Sequence, residues 1–239
     1  SRGLGDVYKR QVDHDRVLRQ VEAIFGHLAP RARTAREPAR WQGAETRRVK
    51  KLEQAHFALA FEGPGYQDPD FYAAQIWTSA LGGGMSSRLF QKVREERGLC
   101  YSIFAQSGFH DDTGMVTVYA GTSGDQVGDL ANITIDEIRR SAEDMTEAEI
   151  ARARAQLKAG LLMGLESPTG QAERMARSLA IWGRVSEPAE VAARIDAVTV
   201  EDVRDHAQRL IANARPALAL YGPVRAAPSR DRLAERLAA

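Results

Sequence analysis

Residues 81–103 read LGGGMSSRLFQKVREERGLCYSI, the stretch on which both the fold and the function of this chain turn. Three consecutive glycines, Gly82, Gly83 and Gly84, break whatever helix precedes them and leave backbone amides free of Cβ cover. Ser86 or Ser87 then starts a second helix, and Gly98 offers it a left-handed C-cap. A strand begins near Leu99, which brings Arg88, Arg94 and Arg97 of that helix close to Tyr101 at the strand's start. A phenol and a guanidinium thus share one edge. The same residues also have a plain reading, in which the glycines only break a helix, the arginines solvate an exposed face and Tyr101 is an ordinary sheet residue.

Working outward, Gln54 to Glu62 alternates Ala55, Phe57, Leu59 and Phe61 with His56, Ala58, Ala60 and Glu62, a period of two that predicts a strand. Gly63, Pro64 and Gly65 stop it. Asp68 and Pro69 supply an N-cap and a first-turn proline for a helix to Leu81. Downstream, strands are expected at Leu99 to His110 and Gly114 to Thr122 around the turn Asp111 to Thr113. A helix over 124–141 follows, then one opened by the capping box of Thr146 and Glu149, and one from Ser167 and Pro168 to Gly183. Two shorter helices, 187–198 and 200–212, precede an apolar strand from Ala217 to Tyr221, and residues 224–239 read as a charged, frayed tail. This order predicts an α+β fold, an antiparallel sheet backed by helices. A dinucleotide-loop reading is weakened because the triple glycine follows a helix, whereas such a loop must follow a strand and open a helix.

The 239 residues are 44% hydrophobic and 27% charged, with 33 Lys plus Arg against 32 Asp plus Glu, so no global basic field draws the chain to nucleic acid. No apolar run approaches the roughly 18 residues of a membrane span, and with Cys100 as the only cysteine no internal disulfide can form. Cys100 reads as a core thiol. The five histidines, His14, His27, His56, His110 and His206, show no local zinc-ligand spacing. Residues 1–11 read as a non-native leader. Val17, Val21, Ile24 and Leu28 behind Asp13 predict a helix within 12–29, and residues 30–51, rich in arginine and proline, read as a basic linker.

With these elements placed, GGGMSSRLFQKVREERGLCYS resembles the second-half signature of the pitrilysin family of zinc metallopeptidases, the inverzincins that include mitochondrial processing peptidase and insulin-degrading enzyme. VDHDRVLRQVEAIFGHL resembles the closing helix of that family's first domain, and HFALAFEGPGYQDPDFYAAQIWTSALGGG the opening of its second. The resemblance continues to Tyr221, so residues 52–223 are expected to form the peptidase C-terminal domain.

The resemblance implies two homologous α+β domains around a closed chamber, with zinc held in the first by two His and a Glu. By the same resemblance, Arg94 and Tyr101 bind the substrate backbone and hydrogen-bond the scissile carbonyl oxygen, while Gly82, Gly83, Gly84, Ser86 and Arg88 form a substrate-binding loop. The motif H-x-x-E-H is absent, so this chain is expected to hold no catalytic zinc and to be inactive alone. Two readings follow: the C-terminal half of a zinc-dependent endopeptidase cleaving peptides or unfolded segments, or a non-catalytic subunit, either the partner chain of a two-chain processing peptidase or a structural subunit like the core subunits of respiratory complexes. The expected partners are a peptide substrate and the missing N-terminal half or a homologous subunit, and a dimer is allowed. Arginine outnumbers lysine 28 to 5, which suggests a GC-rich bacterial coding sequence and a cytoplasmic enzyme.

Overall fold

A computed structural model describes residues 12–29, 37–212 and 214–239; the expected leader and residues 30–36 of the expected linker lie outside them. The chain divides into two compact units, residues 1–38 and 39–239. In the first, α1 (His14–Phe25) is capped by Asp13, whose side chain accepts from the Arg16 amide at 2.7 Å. Its apolar stripe, Val17, Val21, Ile24 and Phe25, is exposed.

The second unit is built on a five-stranded sheet in the order β1-β5-β2-β4-β3. Strand β2 (Ala55–Gly63) lies between β5 (Ala217–Gly222) and β4 (Gly114–Thr122), antiparallel to both, and β3 (Cys100–Phe109) forms the edge beyond β4. The period of two works as expected. Phe57, Leu59 and Phe61 on β2, Val116 and Val118 on β4, and Leu218 and Leu220 on β5 are buried. They pack into one core with α2 (Phe71–Gly82), α3 (Val127–Asp144) and α7 (Val200–Ala212), through Trp77, Leu130, Ile135, Ile138 and Val203. Burying each such side chain contributes about 1.5 to 3 kcal/mol.

Three differences from the sequence reading have physical causes. The expected linker contains β1 (Glu45–Val49), which pairs parallel with β5 and makes the sheet mixed rather than wholly antiparallel. Its composition hides it, because Arg47 stands where a strand would carry an apolar residue. The guanidinium is consumed by the carbonyls of Val224, Ala227 and Pro228 at 3.1, 2.9 and 2.9 Å. Those carbonyls introduce the second difference. The expected frayed tail forms α8 (Arg230–Ala238), capped by Ser229, with Leu233 and Leu237 buried and Arg236 paired to Asp136 at 2.7 Å.

The third lies in the deciding stretch. Residues Phe90–Glu95 are π-helical rather than α-helical, and the Glu96 amide donates to the Gln91 carbonyl at 2.9 Å. Gly98 closes the segment in left-handed backbone, φ +61°, as its position predicts. Upstream, α2 begins at Phe71, two residues after Pro69, because Asp68 spends its carboxylate on the Asp70 amide at 2.8 Å. The remaining helices, α4 (Glu147–Leu165), α5 (Pro168–Trp182) and α6 (Pro188–Ala197), follow the predicted caps, including the capping box of Thr146 and Glu149 and Gly183 at φ +69°. No described helix is long and apolar enough to cross a membrane.

Candidate active-site residues

Strand β3 leaves its ladder at Tyr101. Cys100 pairs with Thr122 and Ser102 with Gly121, so Tyr101 is the extra residue of a β-bulge. A bulge re-aims a side chain that regular alternation would send to the other face. Cys100 is buried while Tyr101 and Ser102 both turn to solvent, and Tyr101 is 81% exposed.

Arg94 sits in the π-helical turn just before Gly98. Its side chain is 40% exposed, with the guanidinium 4.5 Å from the Phe90 ring centre and Nε 3.9 Å from Glu95 Oε1. Burial pushes the neighbouring Cys100 thiol up to about 11, against the pull of the Arg94 charge. A thiol so placed is protonated at neutral pH and is no nucleophile. Arg94 and Tyr101 are both open to solvent at one end of β3, and no hydrogen bond joins them to each other.

The glycine loop divides. Gly82 is buried against β3, where a Cβ would stand 2.6 Å from the Ala105 Cβ, so it serves packing and is closed to a peptide. Gly83 donates its amide to Ser79 at 2.8 Å and offers its carbonyl to Gln156 at 2.8 Å. Gly84 and Ser86 remain accessible. Arg88 departs from its expected substrate role. Its side chain is 8% exposed, with Nε and Nη2 both 2.9 Å from the Glu149 carboxylate and Nη1 on Asp144. Burial alone would lower the Arg88 pKa, but these two carboxylates outweigh it and raise it. The residue is a clamp tying the glycine loop to the α3–α4 junction.

Other groups on the solvent side of the sheet escape a linear reading. Tyr221, His56, Gly121 and Ser102 form one cross-strand row, next to the bulged Tyr101. His56 Nδ1 is 2.8 Å from the Tyr119 hydroxyl, and the Phe104 ring lies 5.2 Å from that of Tyr119. Alternation shows that His56 faces away from the core, but nothing in the linear spacing pairs it with a tyrosine on β4.

The described side chains do not fit zinc. Among the described residues no group of three His, Cys, Asp or Glu side chains converges. His56 is engaged with Tyr119, and His206 lies 3.3 Å from Asp70.

Comparison with known proteins bears on the family and the fold. Residues 11–157 match the family described as Peptidase M16 inactive domain. The chain is 39% identical over 238 residues to an uncharacterized zinc protease of Streptomyces coelicolor, covering 95% of this chain and 50% of that protein. It is 33% identical over 240 residues to the probable mitochondrial-processing peptidase subunit beta of Arabidopsis thaliana, covering 94% of this chain and 45% of that one. The chain spans about half the length of the curated relatives it matches. A chain of complex III2 from Candida albicans shares the fold, with a TM-score of 0.84 at 24% identity over 95% of this chain and 57% of that one. This chain therefore belongs to the M16 peptidases, as a copy of the family's inactive domain.

Proposed function

We propose that the chain is the C-terminal half of a zinc-dependent endopeptidase that hydrolyses peptides or unfolded protein segments. In this reading the metal and its ligands lie in the other half. This half supplies Arg94 to hold the substrate backbone and the Tyr101 hydroxyl to donate a hydrogen bond to the scissile carbonyl oxygen as negative charge develops there. The observation that carries the reading is the bulge at Tyr101, which presents a phenol to solvent one residue from a buried cysteine. A preorganised donor of this kind accounts for about 100- to 1,000-fold in the chemical step. Gly84 and Ser86 line the approach of the peptide, whereas Gly82 and Arg88 only position them.

The test uses this chain joined to its other half. Tyr101→Phe is expected to lower kcat by about 100-fold or more while zinc content and folding stay unchanged. Arg94→Ala is expected to raise KM. Turnover untouched by both substitutions, with stoichiometric zinc, overturns the assignment. A second reading, a non-catalytic partner subunit, draws on the description of the matched domain as inactive. It expects no turnover from the joined protein and an assembly that forms equally well with Tyr101→Phe.

A further inference from the structure

Away from Tyr101, a groove of about 750 Å³ opens between α2, α4, α5 and α6. Its floor is aromatic: Phe71 packs edge-on to Phe109 at 4.6 Å and to Trp182 at 6.2 Å, with Tyr66 at 5.8 Å. Its rim is basic. Arg174, Arg177, Arg184 and Arg194 line it against the single lining carboxylate of Glu190.

The guanidiniums are not all satisfied. Arg184 Nη1 and Arg194 Nη2 share Glu190, each at 2.7 Å. Arg174 donates Nη1 to the Ser186 carbonyl at 2.7 Å, but its buried Nε has no partner. Arg177 has no hydrogen-bond or ion-pair partner among the described residues. Arg177 itself is exposed, with its guanidinium open to an incoming carboxylate. A buried donor such as Arg174 Nε is nearly always paired, so its lack of a partner beside an open groove marks a missing acceptor.

The helices framing the groove are under-packed. Among the described residues α5 buries only Ser178 and α6 only Ile195, although α5 carries Met175, Leu179, Ile181 and Trp182. Apolar surface also continues beyond the groove on the α4–α5 hairpin, where Leu162, Met163, Met175 and Leu179 are exposed. A single small amphiphile would fill the groove and leave that extension bare. An acidic amphipathic segment covers both, with apolar side chains on the aromatic floor and carboxylates on the rim.

We propose that this groove docks an acidic, amphipathic segment of a partner protein. The site is separate from Arg94 and Tyr101 and does not depend on peptidase activity.

The probe is a synthetic peptide of about 14 residues, roughly four helical turns, with Leu and Phe on one face and Glu on the other. One control replaces Glu by Lys, and the other replaces Leu and Phe by Ser. Binding to the chain is read by calorimetry and by Trp182 emission, assigned with Trp182→Phe. The acidic amphipathic peptide is expected to bind at least about ten-fold more tightly than either control, and more weakly as salt rises. Arg177→Gln, which breaks no internal contact, is expected to weaken it several-fold with an unchanged melting temperature. Arg174→Gln combined with Arg177→Gln weakens it further. Equal binding of the controls, no change in Trp182 emission, or an unaltered Kd in Arg177→Gln overturns the proposal. Tighter binding of sodium palmitate at the same tryptophan assigns the groove to a small amphiphile and overturns the partner segment.

Discussion

At Gly98 the backbone sits at φ +61° and an added side chain would meet nothing, so only conformation resists substitution there. Gly98→Ala should cost about 1 to 2 kcal/mol, the penalty of left-handed backbone for an L-residue. At Gly82 φ is not positive and the obstacle is contact: the Cβ would collide with Ala105. Gly82→Ala should cost about 1 to 3 kcal/mol through overpacking and push α2 away from β3. Urea denaturation of the two variants checks both values. Near-ultraviolet circular dichroism separates them, because only Gly82→Ala disturbs the packing around Trp77.

Between elements, Arg88 is a polar tie that joins the segment before the π-helical turn to the α3–α4 junction. Glu149 serves twice, accepting both from Arg88 and from the Thr146 amide at 2.8 Å in the capping box. Burial would raise the Glu149 pKa, but its bonds to Arg88 and Thr146 outweigh burial and hold it lowered. Arg88→Met leaves that carboxylate half-buried and without its cationic partner, held only by Thr146. The expected loss is about 2 kcal/mol, below the roughly 3 kcal/mol of a fully buried pair because Asp144 and part of Glu149 keep water contact. Adding Glu149→Gln to Arg88→Met should restore part of the loss, a non-additivity read from the double-mutant cycle. A solvated arginine would show neither effect.

Across the whole molecule, the His206 contact joins α7 to the start of α2. Burial, the dominant influence on His206, lowers its pKa below 6.5, opposed by Asp70. Asp70 accepts only, so the imidazole proton belongs on Nδ1, and the buried Nε2 has no partner. Protonating Nε2 would add a donor with nothing to receive it. The unfolded chain binds that proton more readily, so the His206 contribution is full above pH 6.5 and is lost as pH falls below it. Thermal unfolding between about pH 7.5 and about pH 5, on either side of the ordinary histidine pKa of about 6.5, should show stability falling towards acid. His206→Gln should flatten that slope. An equal slope in the variant would place the titration elsewhere.

Local pattern in the sequence carried most of the architecture. Alternation marks β2, the turn at Asp111 to Thr113 marks β4, an apolar run marks β5, cap residues mark α4 and α5, and Gly98 marks the end of the segment before β3, because each follows from neighbours within a few positions of the chain. The pairing of Arg94 and Tyr101 as candidate site residues came from a motif equally local. What the tertiary structure decided are interactions that close over long separations. The Arg88 clamp reaches Glu149 across 61 residues, and Arg47 reaches the Val224 carbonyl across 177. Through such contacts an arginine that looks solvated becomes a structural tie, a basic linker becomes a strand and a charged tail becomes a packed helix. The bulge at Tyr101 belongs to the same class, since an extra residue on one strand exists only relative to the register of its partner.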